Sequence, residues 1–351
     1  MKELGQMFVV GFSGTKPSDA FLRFLHDENI GGILLYGANV KTPKQILELT
    51  EILQDAVRTS LLITVDHEGG NVFRMSKPFT QFPSMSEVAQ KTKTHGEHIV
   101  AEIGKIMGRE LRAVGIHCNF APVLDVLTNP FNRVIGKRSF GNDPHLVANL
   151  GCELMRGLEE EGIMSCGKHF PGHGDTNHDS HETLPSLAHT RKRFEICEFI
   201  PFRAAIAAGI PSMMTAHLHI PLLDSENMVT ISRQVTTTIL RHELGYDGLI
   251  FTDDLLMRGI AGMMPIPEAT VRSLHAGADM LLFSRDLEIQ KKSLAELKNA
   301  VAQGRIPEEQ LQASLSRIKH VKKRYCHHEL ERLPLSVIGS SEHREFLTKL
   351  S

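Results

Sequence analysis

Short apolar runs recur along the chain, and longer segments with apolar residues at helical spacing separate them. The eight runs are Met7–Gly11, Gly32–Tyr36, Leu61–Asp66, His117–Asp125, Ser165–Phe170, Ser212–Ala216, Leu249–Thr252 and Met280–Phe283. Apolar residues within them are continuous rather than alternating, which is typical of parallel strands covered on both faces. Each run is therefore predicted to be a buried strand.

The intervening segments carry signals of helix starts and ends. Thr42–Pro43 and Asp143–Pro144 each place an N-cap residue before a first-turn proline, and Ser232 is a third N-cap. Gly162 and Gly245 are suited to end two of these helices. The apolar stripe of a last helix comprises Leu311, Leu315, Ile318 and Val321.

Eight alternations of strand and helix predict an α/β protein with a closed parallel (β/α)8 barrel of the TIM type. An open doubly wound sheet is disfavoured because no G-x-G-x-x-G motif follows the first run. The predicted barrel occupies residues 1–325 and ends in a C-terminal helix. Residues 326–351 are polar and irregular in pattern, so we expect a short tail and no second domain.

Composition narrows the class of protein. The net charge is -2 without a long basic run, which argues against a nucleic-acid-binding face. Five irregularly spaced cysteines are typical of reduced core thiols, and the first residues resemble a strand more than a secretion signal. No apolar stretch approaches the roughly 20 residues of a membrane span. We expect a cytoplasmic enzyme and favour a monomer.

Ionisable residues follow several of the predicted strands. They are Asp66-His67-Glu68 with Arg74 after the third run, Arg138 after the fourth, Lys168-His169 in the fifth, His217 after the sixth and Asp253-Asp254 after the seventh. Function in TIM-type barrels collects at the carboxyl ends of the strands. Burying this many charged groups for structure alone would be costly, so we interpret this edge as a functional site.

The loop after the fifth run reads KHFPGHGDTNHDSHETL over residues 168–184. Its histidines, His169, His173, His178 and His181, raise the alternative of a zinc site. They lack cysteine partners and the spacing of zinc ligands, so we expect no metal and no cofactor. Asp179-Ser180-His181 suggests instead a carboxylate that orients an imidazole, which could act as a general acid and then a general base.

The pair Asp253-Asp254 leaves the seventh predicted strand. Asp253 is nearer the strand and is predicted to face the cavity and to act in catalysis. Strand alternation turns Asp254 away from the cavity, toward a capping or pairing role. A proton-transfer group on the same edge strengthens the catalytic interpretation of Asp253.

At these residues the sequence resembles glycoside hydrolase family 3, and within it the single-domain bacterial β-N-acetylhexosaminidases of peptidoglycan recycling. The resemblance runs from about Gly5 to Arg324, and its most specific element is KHFPGHG at 168–174 followed by D-S-H at 179–181. It implies that Asp253 is the nucleophile and that His181, assisted by Asp179, is the acid/base. Preference for a 2-acetamido sugar comes from the resemblance alone.

The resemblance also implies substrate contacts and a substrate. The contacts would be Asp66, Arg74, Arg138, Lys168 and His169. Asn71 stands where the family usually has an arginine after D-H-E-G-G, which leaves Arg74 as the arginine of that loop. The substrate would carry terminal non-reducing β-linked N-acetylglucosamine, as in N-acetylglucosaminyl-anhydromuramyl peptides, and no nucleic acid or membrane partner is expected.

Three other functions remain open from the sequence. A histidine acid/base is neutral after donating its proton, so phosphate could replace water and make the enzyme a phosphorylase. A zinc hydrolase built on the histidine-rich loop is a second alternative. A non-catalytic sugar-binding barrel is the third, although such a protein would have no need to keep both Asp253 and His181.

Overall fold

The computed structural model describes residues 3–177, 184–326 and 332–350. Eight parallel strands form a closed barrel in the order β1, β2, β3, β6, β7, β8, β9, β10, which confirms the predicted fold. The strands are β1 (Phe8–Val10), β2 (Gly32–Leu35), β3 (Leu62–Val65), β4 (His67–Gly69), β5 (Val72–Phe73), β6 (Cys118–Asn119), β7 (Met164–Phe170), β8 (Ser212–Thr215), β9 (Leu249–Asp254) and β10 (Met280–Phe283). Strands β4 and β5 form a small antiparallel hairpin outside the barrel.

Helices surround the barrel. They are α1 (Asp19–Asp27), α2 (Pro43–Asp55), α3 (Met85–His95), α4 (His98–Ala113), α5 (Pro144–Glu160), α6 (Arg191–Ile196), α7 (Phe199–Ala207), α8 (Arg258–Ala261), α9 (Ile266–Ala276), α10 (Leu287–Ala302), α11 (Glu308–Tyr325) and α12 (Ser341–Leu350). Thr42 and Asp143 cap α2 and α5 as predicted, by accepting the backbone N–H groups of Gln45 and His145. None of the helices in the described ranges is long and apolar enough to span a bilayer.

The helix predicted after Ser232 has a different geometry from the one expected. Ser232 does accept the Val235 N–H at 3.0 Å, but residues Gln234–Glu243 form π-helical turns. Three consecutive threonines lie in this segment, and β-branched residues disfavour regular α-helix. The Thr237 hydroxyl donates to the Ala276 carbonyl at 2.7 Å, which ties the wider turn to α9.

The fourth barrel strand is much shorter than the predicted run from His117 to Asp125. The regular strand ends at Asn119, and Pro122, which has no N–H to donate, follows three residues later. The chain nevertheless stays beside β7, since the Leu124 N–H donates to the Lys168 carbonyl at 2.6 Å. This course brings Asp125 to the carboxyl end of β7, where it contacts His169.

The tail predicted to be irregular contains helix α12. Glu110, on α4, anchors it: one carboxylate oxygen accepts the Thr80 hydroxyl at 2.6 Å, the Gly339 N–H at 2.8 Å and His343 Nδ1 at 2.8 Å. Glu110 and His343 are both 1% exposed. A buried carboxylate needs such donors, and this long-range requirement has no signal in the local pattern.

Candidate active site

A cavity of about 350 Å³ opens at the carboxyl ends of the strands. Its polar lining comprises Tyr36, Asp66, Glu68, Arg74, Arg138, Lys168, His169, His173, Asp253, Asp254, Ser284 and Arg285. Six of the predicted site residues therefore meet in one place: Asp66, Arg74, Arg138, Lys168, His169 and Asp253. A larger cavity of about 550 Å³, near the amino-terminal ends of β6 and β7, contains none of them.

Asp179 and His181, the predicted acid/base pair, lie outside the described residues, as does His178. The residues on either side of this segment are anchored. Asn132 donates to the His173 carbonyl at 2.8 Å, and Asn129 donates to the Thr176 carbonyl at 3.1 Å. On the other side, the Leu187 N–H donates to the His219 carbonyl at 2.9 Å.

Glu68 is the centre of a buried ion-pair network. Arg138 binds it through two nitrogens, Nε and Nη2, at 2.8 Å each. Lys168 Nζ lies 2.5 Å from Glu68 Oε1 and 2.6 Å from Asp66 Oδ1. Burial raises the pKa of Glu68, but Arg138 and Lys168 outweigh it and hold that pKa well below the usual range. The sequence pattern places Glu68 after the third strand but predicts no role for it.

The hairpin after β3 determines where Glu68 points. Asn119, on β6, accepts the His67 N–H at 3.0 Å and donates to the His67 carbonyl at 2.9 Å. Gly69 then turns the chain with φ +105, and a Cβ there would lie 2.8 Å from the Pro83 carbonyl oxygen. The two glycines of D-H-E-G-G thus allow the tight turn that presents Glu68 to the cavity.

Asp125 orients two histidines of the cavity wall. It is fully buried and accepts the backbone N–H groups of His169 and His173, the latter at 2.6 Å, and it contacts His169 Nδ1 at 2.7 Å. Arg138 Nη2 lies 3.3 Å from His169 Nε2 and can only donate, so His169 carries its proton on Nδ1. Asp125 was not among the predicted site residues.

The pKa values of Asp125 and His173 both lie below their usual values, but burial acts on them in opposite directions. Burial raises the pKa of Asp125, but the neighbouring His169 and His173 outweigh it and hold the pKa below its usual value. Burial lowers the pKa of His173 to about 4. At neutral pH the wall therefore presents an ionised, internally bound carboxylate and an uncharged His173 ring.

Asp253, at the end of β9, is held in its ionised form. Burial raises its pKa, but His217, His169, the Asp254 N–H and Lys168 outweigh it, and the net pKa is below the ordinary value. The Asp254 N–H donates to Asp253 Oδ1 at 2.8 Å. An ionised carboxylate at the edge of a cavity can act as a nucleophile or stabilise a developing positive charge.

Asp254 differs from the prediction in one respect. Its Oδ1 accepts the backbone N–H groups of Leu256 and Ser284, each at 3.0 Å, which fits a capping role. It also borders the cavity, so the prediction that it turns away is wrong. The register between β9 and β10 shifts near Leu282, and the alternation rule fails there. Burial raises the pKa of Asp254 above its ordinary value, whereas the pKa of the adjacent Asp253 is below it.

Two arginines lie over the same aromatic ring at the cavity edge. The guanidinium carbons of Arg74 and Arg285 lie 6.0 Å and 5.4 Å from the Tyr36 ring centroid. Arg74 Nε is buried and has no acceptor within the described part of the chain. Tyr36 and Arg285 were not among the predicted site residues, although Tyr36 ends the second predicted strand.

Among the described residues, no group of three or more His, Cys, Asp or Glu side chains has a geometry that could hold a metal ion. Two of the four histidines in the zinc alternative, His178 and His181, lie outside these residues. The other two make protein contacts: His169 with Asp125 at 2.7 Å, and His173 with the Thr176 hydroxyl at 2.8 Å.

Replacing Glu68 by glutamine should destabilise the protein by about 3–5 kcal/mol, because it leaves the Arg138 charge buried without its carboxylate. Urea unfolding measures the change. Glu87→Gln is a matched control, since Glu87 pairs with Lys137 on an exposed surface and should change the unfolding midpoint little. Equal, small effects of both substitutions would show that the buried network contributes no more than a surface pair.

Comparisons with known proteins were made on sequence and on structure. The model of the family described as "Glycosyl hydrolase family 3 N terminal domain" matches residues 1–321. "Beta-hexosaminidase A" of Pseudoalteromonas piscicida is 35% identical and covers 92% of the chain, which spans only 58% of that relative. "Beta-hexosaminidase" of Thiobacillus denitrificans is 38% identical, with 81% of the chain and 80% of the relative covered.

A solved structure shows the same likeness. Neisseria gonorrhoeae NagZ, crystallised with N-trifluoroacetyl-D-glucosamine, superimposes with a TM-score of 0.83 at 30% identity. The match covers 98% of this chain and 96% of that one. The barrel fold is therefore shared over nearly the whole of both chains.

Proposed function

Since the chain belongs to glycosyl hydrolase family 3, we propose that it is a retaining exo-glycosidase that releases terminal β-linked N-acetylglucosamine or a related N-acetylhexosamine. The observation that carries the proposal is the ionised Asp253 at the edge of a cavity that also holds Asp66, Arg74 and Lys168. The names of the curated relatives, beta-hexosaminidases, support the choice of sugar.

The reaction would take two displacements. In the first, an Asp253 carboxylate oxygen bonds to the anomeric carbon while the glycosidic C–O bond breaks, and His181 gives its proton to the leaving oxygen. In the second, water gives a proton to the neutral His181 as its oxygen displaces the carboxylate. Two inversions return the β configuration. Asp179 would orient the imidazole in both steps.

The network around Glu68 supports two different roles for the predicted substrate contacts: some would bind the sugar directly, and others would hold those residues in position. The Lys168 side chain is 2% exposed and lies between two carboxylates, whereas the Asp66 side chain is 20% exposed. Asp66 and Arg74 are therefore the better placed to bind sugar hydroxyls or the acetamido carbonyl. Arg138, Lys168 and His169 would border the sugar and hold Asp66 and the cavity wall in position.

We further propose a natural substrate, a cellular compartment and an oligomeric state for the enzyme. The substrate would be a peptidoglycan-derived muropeptide in cell-wall recycling, and the enzyme a cytoplasmic monomer without metal or cofactor. Residues 1–325 would form the catalytic barrel and residues 326–351 a tail that belongs to it. Neisseria gonorrhoeae NagZ was crystallised with N-trifluoroacetyl-D-glucosamine. That complex is a property of NagZ, and it supports the proposal that this chain binds a related N-acetylated sugar.

A panel of aryl glycosides tests the proposal with the purified protein. The β-N-acetylglucosaminide should be hydrolysed with a kcat/KM at least about 100-fold above those of the β-glucoside and β-xyloside, because a site built to bind the acetamido group rejects a sugar without it. Free sugar should be the product with or without phosphate. A preference for the glucoside would contradict the sugar assignment, and a phosphate-dependent sugar 1-phosphate would establish the phosphorylase alternative.

A further inference from the structure

The cations that line the cavity differ in whether a protein carboxylate neutralises them. Arg138 and Lys168 are bound to buried carboxylates. Arg74 and Arg285 line the same cavity, and within the described ranges neither guanidinium forms an ion pair or a hydrogen bond with a protein acceptor. The cavity therefore contains two positive charges whose N–H donors are unused.

The ring of Tyr36 keeps these two charges near each other. The guanidinium carbons of Arg74 and Arg285 lie 6.0 Å and 5.4 Å from its centroid. Burial, followed by the charges of Asp254 and Asp66, holds the pKa of the Tyr36 phenol well above its ordinary value, so the ring itself stays neutral. A cation–π contact orients a guanidinium and leaves its N–H groups free to donate to a ligand.

The backbone that carries Arg285 is held on both sides. Before it, the Ser284 N–H donates to Asp254 Oδ1 at 3.0 Å, which ties the end of β10 to β9. After it, Asp286 caps α10 by accepting the Ile289 N–H at 3.1 Å. The side chain therefore extends to the cavity from a fixed turn, which lowers the entropy lost when it binds a ligand.

We propose that Arg285, with Arg74 as a second positive charge, binds an anionic group of the substrate, an inference that rests on the glycosidase activity proposed above. Two neighbouring cations repel each other, and an anion relieves that repulsion, whereas a neutral hydroxyl does not. A carboxylate, sulfate or phosphate also accepts the forked hydrogen bonds that a guanidinium offers. Such a group can be carried by the terminal sugar or by the leaving group. The enzyme would then favour a charged substrate over a neutral one with the same sugar.

Two pairs of substrates that differ in one charge test this anion subsite and identify the source of the anion. The first pair is nitrophenyl β-N-acetylglucosaminide and its 6-sulfate, which is charged on the terminal sugar. The second is N-acetylglucosaminyl β-1,4-N-acetylmuramic acid and its methyl ester, which lacks the charge on the leaving group. The parent should prefer the charged member of at least one pair by about 10-fold or more in kcat/KM, mainly through KM. The preference should fall as the ionic strength rises.

Arg285→Gln should remove that preference and leave kcat/KM for the neutral substrates within about twofold. Arg285 is exposed, so the unfolding midpoint should stay the same. Arg133→Gln is the matched control and should keep the preference, since it removes an exposed arginine that is not among the described residues lining the cavity.

Three results would overturn the anion subsite. They are a parent with no preference for charge, a preference that Arg285→Gln leaves unchanged, and an equal loss for charged and neutral substrates in that variant. The last would assign Arg285 to support of the Tyr36 ring. If the parent hydrolyses none of the four substrates, the glycosidase proposal itself fails.

Discussion

Asp253→Asn should lower kcat by about 10⁴- to 10⁶-fold, the range found when a catalytic group that acts as part of a unit is removed. Asparagine keeps the shape of the side chain and can still accept the Asp254 N–H at Oδ1, so the fold around β9 should be retained. It cannot form the covalent bond to the anomeric carbon. Steady-state kinetics and unchanged thermal unfolding together measure the effect.

Covalent labelling separates the role of Asp253 from that of its neighbour. A 5-fluoro N-acetylhexosaminyl fluoride should slow the second step and leave its sugar on the peptide that contains Asp253, while Asp253→Asn should take no label. Asp254→Asn is the matched control, since its Oδ1 can still accept the Leu256 and Ser284 N–H groups. Label on Asp254, or none on fully active protein, would contradict the assignment; the second result would indicate that the acetamido group is the nucleophile.

His181→Ala should lower kcat/KM by about 10²- to 10⁴-fold for a natural sugar leaving group, the usual contribution of general acid catalysis. The loss should be much smaller for an activated aryl leaving group, which needs little protonation. Asp179→Ala should show the same pattern more weakly, by misplacing the imidazole. Single-turnover rates across a series of leaving groups measure this dependence.

His178→Ala provides the control for His181, because it removes a histidine from the same segment. It should leave the dependence on the leaving group as in the parent. A His181→Ala loss of equal size for every leaving group would mean that the histidine supports the segment rather than donating a proton. Restoration of activity to a metal-depleted preparation by zinc would instead favour the hydrolase built on the histidine-rich loop.

The barrel was predictable because each strand is buried on both faces and leaves a continuous apolar run. Gly32–Leu35 and Met280–Phe283 show the pattern without interruption, and both pair with β1 as neighbours in the closed sheet. The failures have local causes. Pro122, which cannot donate a backbone hydrogen bond, follows the short strand that ends at Asn119, and consecutive threonines accompany the π-helical turns that follow Ser232.

The cavity was predictable to the extent that its residues lie at the carboxyl ends of strands, as Lys168 on β7 and Asp253 on β9 do. Glu68 and Asp125 were missed because their importance comes from partners far along the chain. Glu68 binds Arg138, 70 residues away, and Asp125 contacts His169, 44 residues away. A sequence pattern records that a carboxylate exists, whereas the pairing that fixes its charge depends on the closed barrel. The side chain of Asp254 was predicted to face away from the cavity, which was wrong because the alternation of side chains is broken by the register shift between β9 and β10.

The closure of the barrel by its first strand has a consequence for the order of folding. Phe8 pairs with Leu281, so one edge of β1 lacks its strand partner until residues 280–283 have been synthesised. Translation at about 5–20 residues per second separates the two by roughly 15–55 s. Glu110 likewise lacks its hydrogen bonds from Gly339 and His343 until those residues have been synthesised. A nascent chain of this protein therefore exposes an open β edge, and Glu110 lacks two of its donors, for most of its synthesis, which favours slow, late folding and makes early shielding by chaperones advantageous.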